Sequence, residues 1–281
     1  MADSRLNFYA LIIGTEILNG RREDSHFKFL RDILNKRGFK FAGSFIIDDN
    51  PELIASTISF IASLPNSVLF SFGGIGSTPD DYTRESASKA LSDGKLYPNK
   101  EFQKLIIERA GEKAYPHRIK MADLPKDAKL IPNVINKMPG FYLDDRFFFM
   151  PGFPEMSHPM VEYILDNIFS GKEQKEYRYS LTALTSEAEF IDLMQKTPED
   201  VEVSALPKIY NDGPRVTISV SSLDDKKAKE EFKKYIDFLD KNKIQYGIGE
   251  AWFLWYNYKN FLRRYKKWIL IKLVTVSVLI K

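Results

Sequence analysis

The sequence contains no cysteine, so it forms no disulfide and offers no thiolate as nucleophile or metal ligand. Histidine is scarce: the three copies, at positions 26, 117 and 158, lack metal-ligand spacing, and we predict a structural role for each. The amino terminus, MADSRLNFYALIIG, lacks the cationic stretch, apolar segment and cleavage site of a secretory signal. We therefore expect a cytoplasmic protein.

A basic excess is absent from the body of the chain. The net charge is +3, but the last 33 residues (Gly249–Lys281) carry seven Lys/Arg and one acid, so the remainder has a net charge of −3. RNA-binding modules with a GXXG clamp place it between helices, whereas the only such spacing in the body, Gly73–Gly76, follows a predicted strand. We expect no nucleic-acid partner.

No apolar run is long enough to span a bilayer. The longest, WILIKLVTVSVLI near the carboxyl terminus, has 13 residues including one lysine, whereas a spanning helix needs about 20. This run follows an aromatic and basic stretch, and the last 33 residues contain all three tryptophans. The tail at 248–281 therefore has three interpretations: a membrane-surface anchor, a segment packed on the body or a partner, or a segment foreign to the gene. Membrane contact is the least favoured of them.

Strand-like and helix-like segments alternate in the first part of the chain. The apolar spacing predicts strands at 8–13, 39–47 and 68–72, and helices at 25–36, 51–64 and 82–91. This order is typical of parallel strands joined by crossover helices. We predict a three-layer α/β domain with a mostly parallel sheet at 1–171. The segment 92–138, with a helix near 101–109, is predicted to be either an insertion or a lid-like region. A hairpin is predicted at 141–150 and a helix at 154–169.

The second part follows a polar stretch, SGKEQKE, and has a different pattern. Strands are predicted at 177–184 and on both sides of NDGP, with an amphipathic helix at 224–239. A capping box at Ser186–Glu189 predicts the start of another helix. These elements indicate a small α+β domain at 172–247.

A glycine-rich loop follows the predicted strand at 68–72, in the stretch FSFGGIGSTPDDYTRESASKAL. Gly73, Gly74 and Gly76 allow backbone N–H groups to converge on an anion beside a helix N-terminus. No Gly-Lys-Ser/Thr follows, so the loop is not a P-loop, and it lacks the third glycine of a dinucleotide fingerprint. The pattern favours a phosphate site.

Acidic residues follow each of the three predicted strands. Asp80 and Asp81 close the glycine loop, while Asp48–Asp49 and Glu16 with Asp24 follow the other two strands. An acid at the end of a strand can simply be the N-cap of the next helix. One acid capping the helix predicted from 82 and one capping the helix predicted from Pro51 would account for two of these acids. The convergence of acids at one sheet edge instead favours a metal-assisted phosphate site.

Several of these stretches resemble one family. IIGTEILNGR, the Asp48–Asp49 pair, GGIGSTPDDYTRESASKAL, NKMPGF and MPGFPEM occur in the order seen in the molybdopterin-binding family, and most closely in the amino-terminal domain of CinA-like proteins. The resemblance covers roughly residues 8–169. It implies that Asp49 and Asp81 are the catalytic or metal-binding acids. The ligand-binding positions that it implies are Gly73, Gly74, Gly76, Thr78, Asp80, Glu16, Asp24 and Glu155.

The resemblance also implies a class of ligand and a set of activities. These are binding of a phosphorylated pterin or nucleotide with Mg²⁺, adenylylation of molybdopterin, or metal-dependent hydrolysis of a nucleotide pyrophosphate such as ADP-ribose or FAD. Self-association is common in the family, so we expect a homo-oligomer. The chain departs from the family pattern at Asn19, Ser77 and His26, and a non-catalytic scaffold stays open as a third class of function.

Overall fold

The computed structural model describes residues 5–211 and 213–250. The chain divides into two compact units, with the division between Gln174 and Lys175. The predictions for the tail at 251–281 lie outside the described residues. No helix in the described ranges has both the length and the apolar character to cross a membrane.

The first unit follows the predicted alternation closely. Its elements are β1 (Asn7–Ile13), α1 (Thr15–Leu18), α2 (His26–Lys36), β2 (Lys40–Ile47), α3 (Pro51–Ser63), β3 (Ser67–Phe72), α4 (Thr83–Leu91), β4 (Leu96–Pro98), α5 (Lys100–Ala110), β5 (Asp123–Pro125), β6 (Lys129–Ile131), β7 (Gly140–Leu143), β8 (Phe147–Met150) and α6 (Pro154–Asn167). Two short 3₁₀ helices lie between α5 and β5.

A six-stranded sheet in the order β2-β1-β3-β8-β7-β6 forms the centre of this unit. The first four strands are parallel, whereas β7 and β6 add in antiparallel fashion through the predicted hairpin. The α/β fold with a mostly parallel sheet is therefore confirmed. Because β1, β2, β3 and β8 run the same way, the loops after them all leave at one edge of the sheet.

Alternate residues of β1 belong to two different hydrophobic cores, one on each face of the sheet. Phe8 and Ile12 pack with α2 and α6, while Leu11 and Ile13 pack with α3, α4 and α5. This alternation follows from the two-residue period of a strand. The helices thus cover both faces and make the three layers that the sequence predicts.

The insertion between α4 and β6 is part of the core. Its helix α5 begins after Asn99, whose side chain accepts a hydrogen bond from the Phe102 N–H at 2.9 Å. Phe102 and Ile106 of α5, together with Leu124 of β5, are buried against the rest of the unit. The lid-like interpretation of this segment is therefore wrong for these elements.

The second unit is a four-stranded antiparallel sheet with one long helix. It consists of β9 (Tyr177–Ala183), a 3₁₀ turn, α7 (Ile191–Met194), β10 (Glu202–Tyr210), β11 (Gly213–Ser222), α8 (Asp225–Lys241) and β12 (Tyr246–Ile248), with the strand order β10-β11-β9-β12. The small α+β domain is confirmed. A helical segment does begin after Ser186, as predicted, but the Ser186 side chain makes no capping hydrogen bond and only a 3₁₀ turn and the short α7 follow.

Candidate functional site

Four loops leave the carboxyl edge of the parallel strands: one each after β1, β2, β3 and β8. Two of them lie next to each other. A Cβ on Gly152, after β8, would lie 3.4 Å from the Cα of Gly73, after β3. Phe153 next to it is exposed, and the Arg22 guanidinium from the loop after β1 lies 5.5 Å from its ring centroid.

The glycine loop after β3 is held by the first two residues of α4. Thr83 donates from its hydroxyl to the Gly73 carbonyl (2.9 Å) and from its backbone N–H to the Gly74 carbonyl (3.0 Å). Arg84 Nη1 donates to the Ile75 carbonyl (3.0 Å) and the Gly76 carbonyl (2.6 Å). Four consecutive carbonyls therefore face the start of α4.

The N–H groups of the same peptide units point away from α4. In a planar trans peptide the N–H points opposite to the C=O. The carbonyls of Gly73, Gly74 and Gly76 are held toward α4, so the N–H groups of Gly74, Ile75 and Ser77 point away from it. These three N–H groups donate to no atom in the described part of the chain. They are therefore backbone donors that a ligand beside this loop could use.

Glycine is required at two positions of this loop. Gly73 has φ +105° and a Cβ there would lie 2.3 Å from the Ile13 carbonyl oxygen. Gly74 has φ +66° and a Cβ there would lie 2.3 Å from Thr83 Oγ1. A side chain at either place would both adopt a disfavoured backbone conformation and displace the hydrogen bonds that orient the loop.

Asp81 holds the glycine loop rather than the helix that follows it. Its carboxylate accepts hydrogen bonds from the Gly76 N–H (2.9 Å), the Thr78 N–H (2.7 Å) and the Thr78 hydroxyl (2.5 Å). The residue that caps α4 is Tyr82, with no side-chain hydrogen bond, so the alternative prediction of an aspartate cap is wrong. Asp80 is exposed.

Asp49 joins the loops after β1 and β2. Its Oδ2 accepts from the Thr15 N–H (2.9 Å) and the Thr15 hydroxyl (2.7 Å), and no hydrogen bond in the described chain reaches Oδ1. The cap of α3 is Asn50, which accepts from the Leu53 N–H, so the predicted acidic cap before Pro51 is wrong. Asp48 accepts only from the Asn50 N–H, at 3.3 Å.

The other predicted acids are dispersed along this edge. Asp24 starts α2 by accepting from the N–H groups of His26 (2.9 Å) and Phe27 (3.1 Å). Glu16 is 4.0 Å from Arg22, and Glu155 lies exposed in the first turn of α6. Among the described residues no three acidic or histidine side chains come together as a metal site. The predicted convergence of acids on one metal centre is not found there.

Two histidines that the sequence pattern did not connect lie beside these loops. His26 is buried, its ring stacks on Phe72 at 4.2 Å, and its Nε2 is 3.4 Å from the Gly152 carbonyl oxygen. The His158 ring lies 5.3 Å from that of His26 and stacks on Phe29. Burial lowers the pKa of His26, and burial together with the neighbouring His26 lowers the pKa of His158 to about 4.

Comparison with known proteins identifies the family. The sequence model of the family described as "Probable molybdopterin binding domain" matches residues 9–170, more than half of the chain. The chain belongs to the molybdopterin-binding domain family. The match covers every loop of the site described above, and it ends just before the second unit begins.

Relatives of this family member include CinA-like proteins. This chain is 30% identical to a CinA-like protein of Geotalea daltonii, over 77% of its own length and 54% of that protein. It is 28% identical to a protein of Pyrococcus furiosus over 85% of this chain and 98% of that one. The chain thus spans about half the length of the first CinA-like relative and nearly all of the Pyrococcus protein.

A solved structure supports the same fold for the first unit. The crystal structure of the protein CinA from Thermoplasma acidophilum matches with a TM-score of 0.53 and 24% identity, over 58% of this chain and 98% of that chain. At this level of identity the likeness establishes the architecture alone.

Proposed function

We propose that this molybdopterin-binding family member binds a phosphorylated ligand with its phosphate on the N–H groups of Gly74, Ile75 and Ser77. The observation that carries the proposal is the orientation of the glycine loop. Four consecutive carbonyls are held by α4, and three N–H groups, on residues of intermediate exposure, are left without an acceptor in the described chain. A phosphate oxygen supplies the acceptors that these donors lack.

The position of the loop favours the same ligand. It precedes α4, whose N-terminus carries a partial positive charge. A phosphate that covered the loop would exclude water from these N–H groups and supply their acceptors, whereas an N–H buried without an acceptor costs about 1–3 kcal/mol. The description of the family supports a phosphorylated pterin of the molybdopterin type. Nucleotide diphosphates such as ADP-ribose and FAD offer the same phosphate chemistry and are the competing ligands.

Calorimetric titration with molybdopterin, ADP-ribose and FAD, each with and without Mg²⁺, tests the proposal. Gly74→Ala places a Cβ 2.3 Å from Thr83 Oγ1 at φ +66°, so it should weaken binding by about tenfold or more. The matched control is Gly94→Ala, which has a similar φ of +76° but meets no atom within 4 Å. It carries the same backbone strain and should leave the affinity nearly unchanged. If none of the three ligands binds, the proposal fails for this ligand class.

A second candidate function is hydrolysis of a nucleotide pyrophosphate. Asp49 favours it, because this partly buried carboxylate has one oxygen without a hydrogen bond in the described chain. The described residues do not build a complete Mg²⁺ site, since Asp81 already accepts three hydrogen bonds. A cation there would need the ligand's own phosphate oxygens as well. Metal-dependent release of AMP from ADP-ribose is the measurement, and ligand binding without turnover would exclude this function.

Self-association is proposed on the resemblance to the family and is measured by sedimentation velocity. A scaffold that docks through the tail at 248–281 is the remaining alternative. It predicts that deletion of the tail changes sedimentation or binding to liposomes while leaving ligand titrations unchanged.

A further inference from the structure

Arg84 is a buried cation directly behind the proposed phosphate site. Its side chain is only 5% exposed, although it lies in the first turn of α4. One nitrogen, Nη1, donates to the carbonyls of both Ile75 and Gly76, and Nε has no hydrogen-bond partner in the described chain. Such burial is unusual for arginine, which is seldom fully buried without a partner of opposite charge.

No carboxylate forms an ion pair with Arg84 in the part of the chain that the structure describes. Burial lowers the pKa of its guanidinium, and the charges of Glu85, Asp81 and Asp123 offset this only in part. The group nevertheless stays charged, because arginine is not deprotonated in proteins. The protein therefore holds a positive charge that is incompletely compensated under the loop.

The hydrogen bonds of Arg84 also set the direction of specific amides. The Gly76 carbonyl shares a peptide unit with the Ser77 N–H, and the Ile75 carbonyl shares one with the Gly76 N–H. Arg84 thus turns the Ser77 N–H away from α4, and it turns the Gly76 N–H toward the Asp81 carboxylate that receives it. In the same way, the hydrogen bonds from Thr83 to the Gly73 and Gly74 carbonyls turn the Gly74 and Ile75 N–H groups away from α4.

We propose that Arg84 is a positioning residue that makes this site selective for anionic phosphate groups over neutral acceptors. Its hydrogen bonds orient the Ser77 N–H, and its charge favours a negatively charged ligand group. This inference rests on the proposed phosphate site and specifies the charge of the group that the site takes. The class of ligand is a phosphate monoester or pyrophosphate.

Three variants separate charge from hydrogen bonding. Arg84→Lys keeps the charge, Arg84→Gln keeps a donor but removes the charge, and Arg84→Met removes both.

The probes are ADP-ribose and inorganic pyrophosphate, and the readouts are affinity, melting temperature and the amide NMR shifts of Gly74, Ile75 and Ser77. We expect affinity to fall by about tenfold or more in Arg84→Gln and Arg84→Met, and by about threefold in Arg84→Lys. Phosphate should no longer shift the Ser77 amide in Arg84→Met.

The outcomes separate the two proposals. If the wild-type amides respond to neither probe, the phosphate site itself fails for these ligands. If the wild type binds but Arg84→Gln binds as well as Arg84→Lys, the role assigned to the Arg84 charge is overturned. If Arg84→Met does not fold, the comparison of the lysine and glutamine variants decides the question. A merely structural role would lower affinity only in proportion to melting temperature, without rescue by lysine.

Discussion

The Asp49 carboxylate accepts two hydrogen bonds from Thr15, at 2.9 Å from its N–H and 2.7 Å from its hydroxyl. The pair connects residues 34 positions apart and ties the loop after β1 to the loop after β2. Both bonds use the same carboxylate oxygen, Oδ2. Asp49 therefore has a structural task that is separate from any contact of Oδ1 with ligand.

A double-mutant cycle measures how much of the stability contributed by Asp49 depends on its hydrogen bond with the Thr15 hydroxyl. Thr15→Val removes the hydroxyl donor at nearly constant shape, and Asp49→Ala removes the acceptor. We expect a coupling free energy of about 1 kcal/mol in unfolding, because hydrogen bonds to a charged group contribute this much or more. If Asp49 also contacts the ligand, Asp49→Ala will weaken binding more than Thr15→Val does. Equal losses would restrict Asp49 to its structural task.

Asp81→Ala should abolish ligand binding and also destabilise the first unit. The substitution leaves the N–H groups of Gly76 and Thr78 without their acceptor, at a cost of about 1–3 kcal/mol. Chemical denaturation measures this cost. The exposed neighbour Asp80 supplies the control, and Asp80→Ala should leave the free energy of unfolding within about 0.5 kcal/mol of the wild type.

The same result limits what activity assays of Asp81 variants can establish. A loss of turnover in Asp81→Ala does not identify Asp81 as a catalytic group, because the loop loses its support at the same time. Retention of both stability and ligand affinity in this variant would contradict the role described for Asp81.

Mg²⁺ by itself should bind the described part of the chain weakly. No three acidic or histidine side chains cluster there, and the Asp81 carboxylate already accepts three hydrogen bonds from its own loop. We expect calorimetry to detect no heat of Mg²⁺ binding in the absence of ligand, and a Mg²⁺ effect only when a phosphorylated ligand is present. A tight Mg²⁺ site in the free protein would refute this expectation, and Asp49→Asn would show whether Asp49 belongs to it.

The free energy of unfolding should fall as the pH drops below about 6.5. The folded pKa of His158 is lowered to about 4 and that of His26 is also lowered, so the fold favours neutral imidazole at both positions. In the unfolded state the histidines have a higher pKa, so they take up protons first as the pH falls. The free energy of unfolding therefore decreases from that pH downward. For His158 alone the full shift corresponds to about 2 kcal/mol by pH 5, and the loss should be smaller because solvent screens this half-buried ring.

Chemical denaturation between pH 7.5 and 5 checks this prediction. The acids and bases that face the pair are Asp24, Glu155 and Arg22, and their charges partly oppose one another at His26. His158→Phe preserves a ring against Phe29 and should flatten the pH dependence. His117→Asn, at an exposed position, should leave it unchanged. A pH dependence that persists in His158→Phe would assign it to other groups.

Much of the first unit could be predicted from local patterns. The helix predicted at 51–64 occurs at Pro51–Ser63, and the strand predicted at 68–72 occurs at Ser67–Phe72. These segments were predictable because apolar spacing records which face of an element is buried. Strand β12 and the small β4–β5 sheet were missed, because each has only three residues and carries almost no periodicity.

The location of the site was predictable, whereas the tasks of its side chains were not. The glycines after β3 identify the loop because few other sequences tolerate its backbone. The family resemblance singled out Asp81, but no local sequence signal shows that Asp81 supports the loop while Asp80 faces solvent. Arg84 was not predicted as a site residue at all, since an arginine in the first turn of a polar-looking helix normally lies at the surface.

The sequence alone determined the α/β architecture, the family and the glycine loop as the place where an anion would bind, because periodicity and glycine placement act through neighbouring residues. The tertiary structure decided which backbone N–H groups lack a hydrogen-bond acceptor and which carboxylates already accept hydrogen bonds. It also decided that a buried cation lies behind the loop. These depend on hydrogen bonds between Thr15 and Asp49, between His26 and Gly152, and between Arg84 and the loop carbonyls. Such bonds form only after the strands have brought their carboxyl ends to one edge, so local pattern does not encode them.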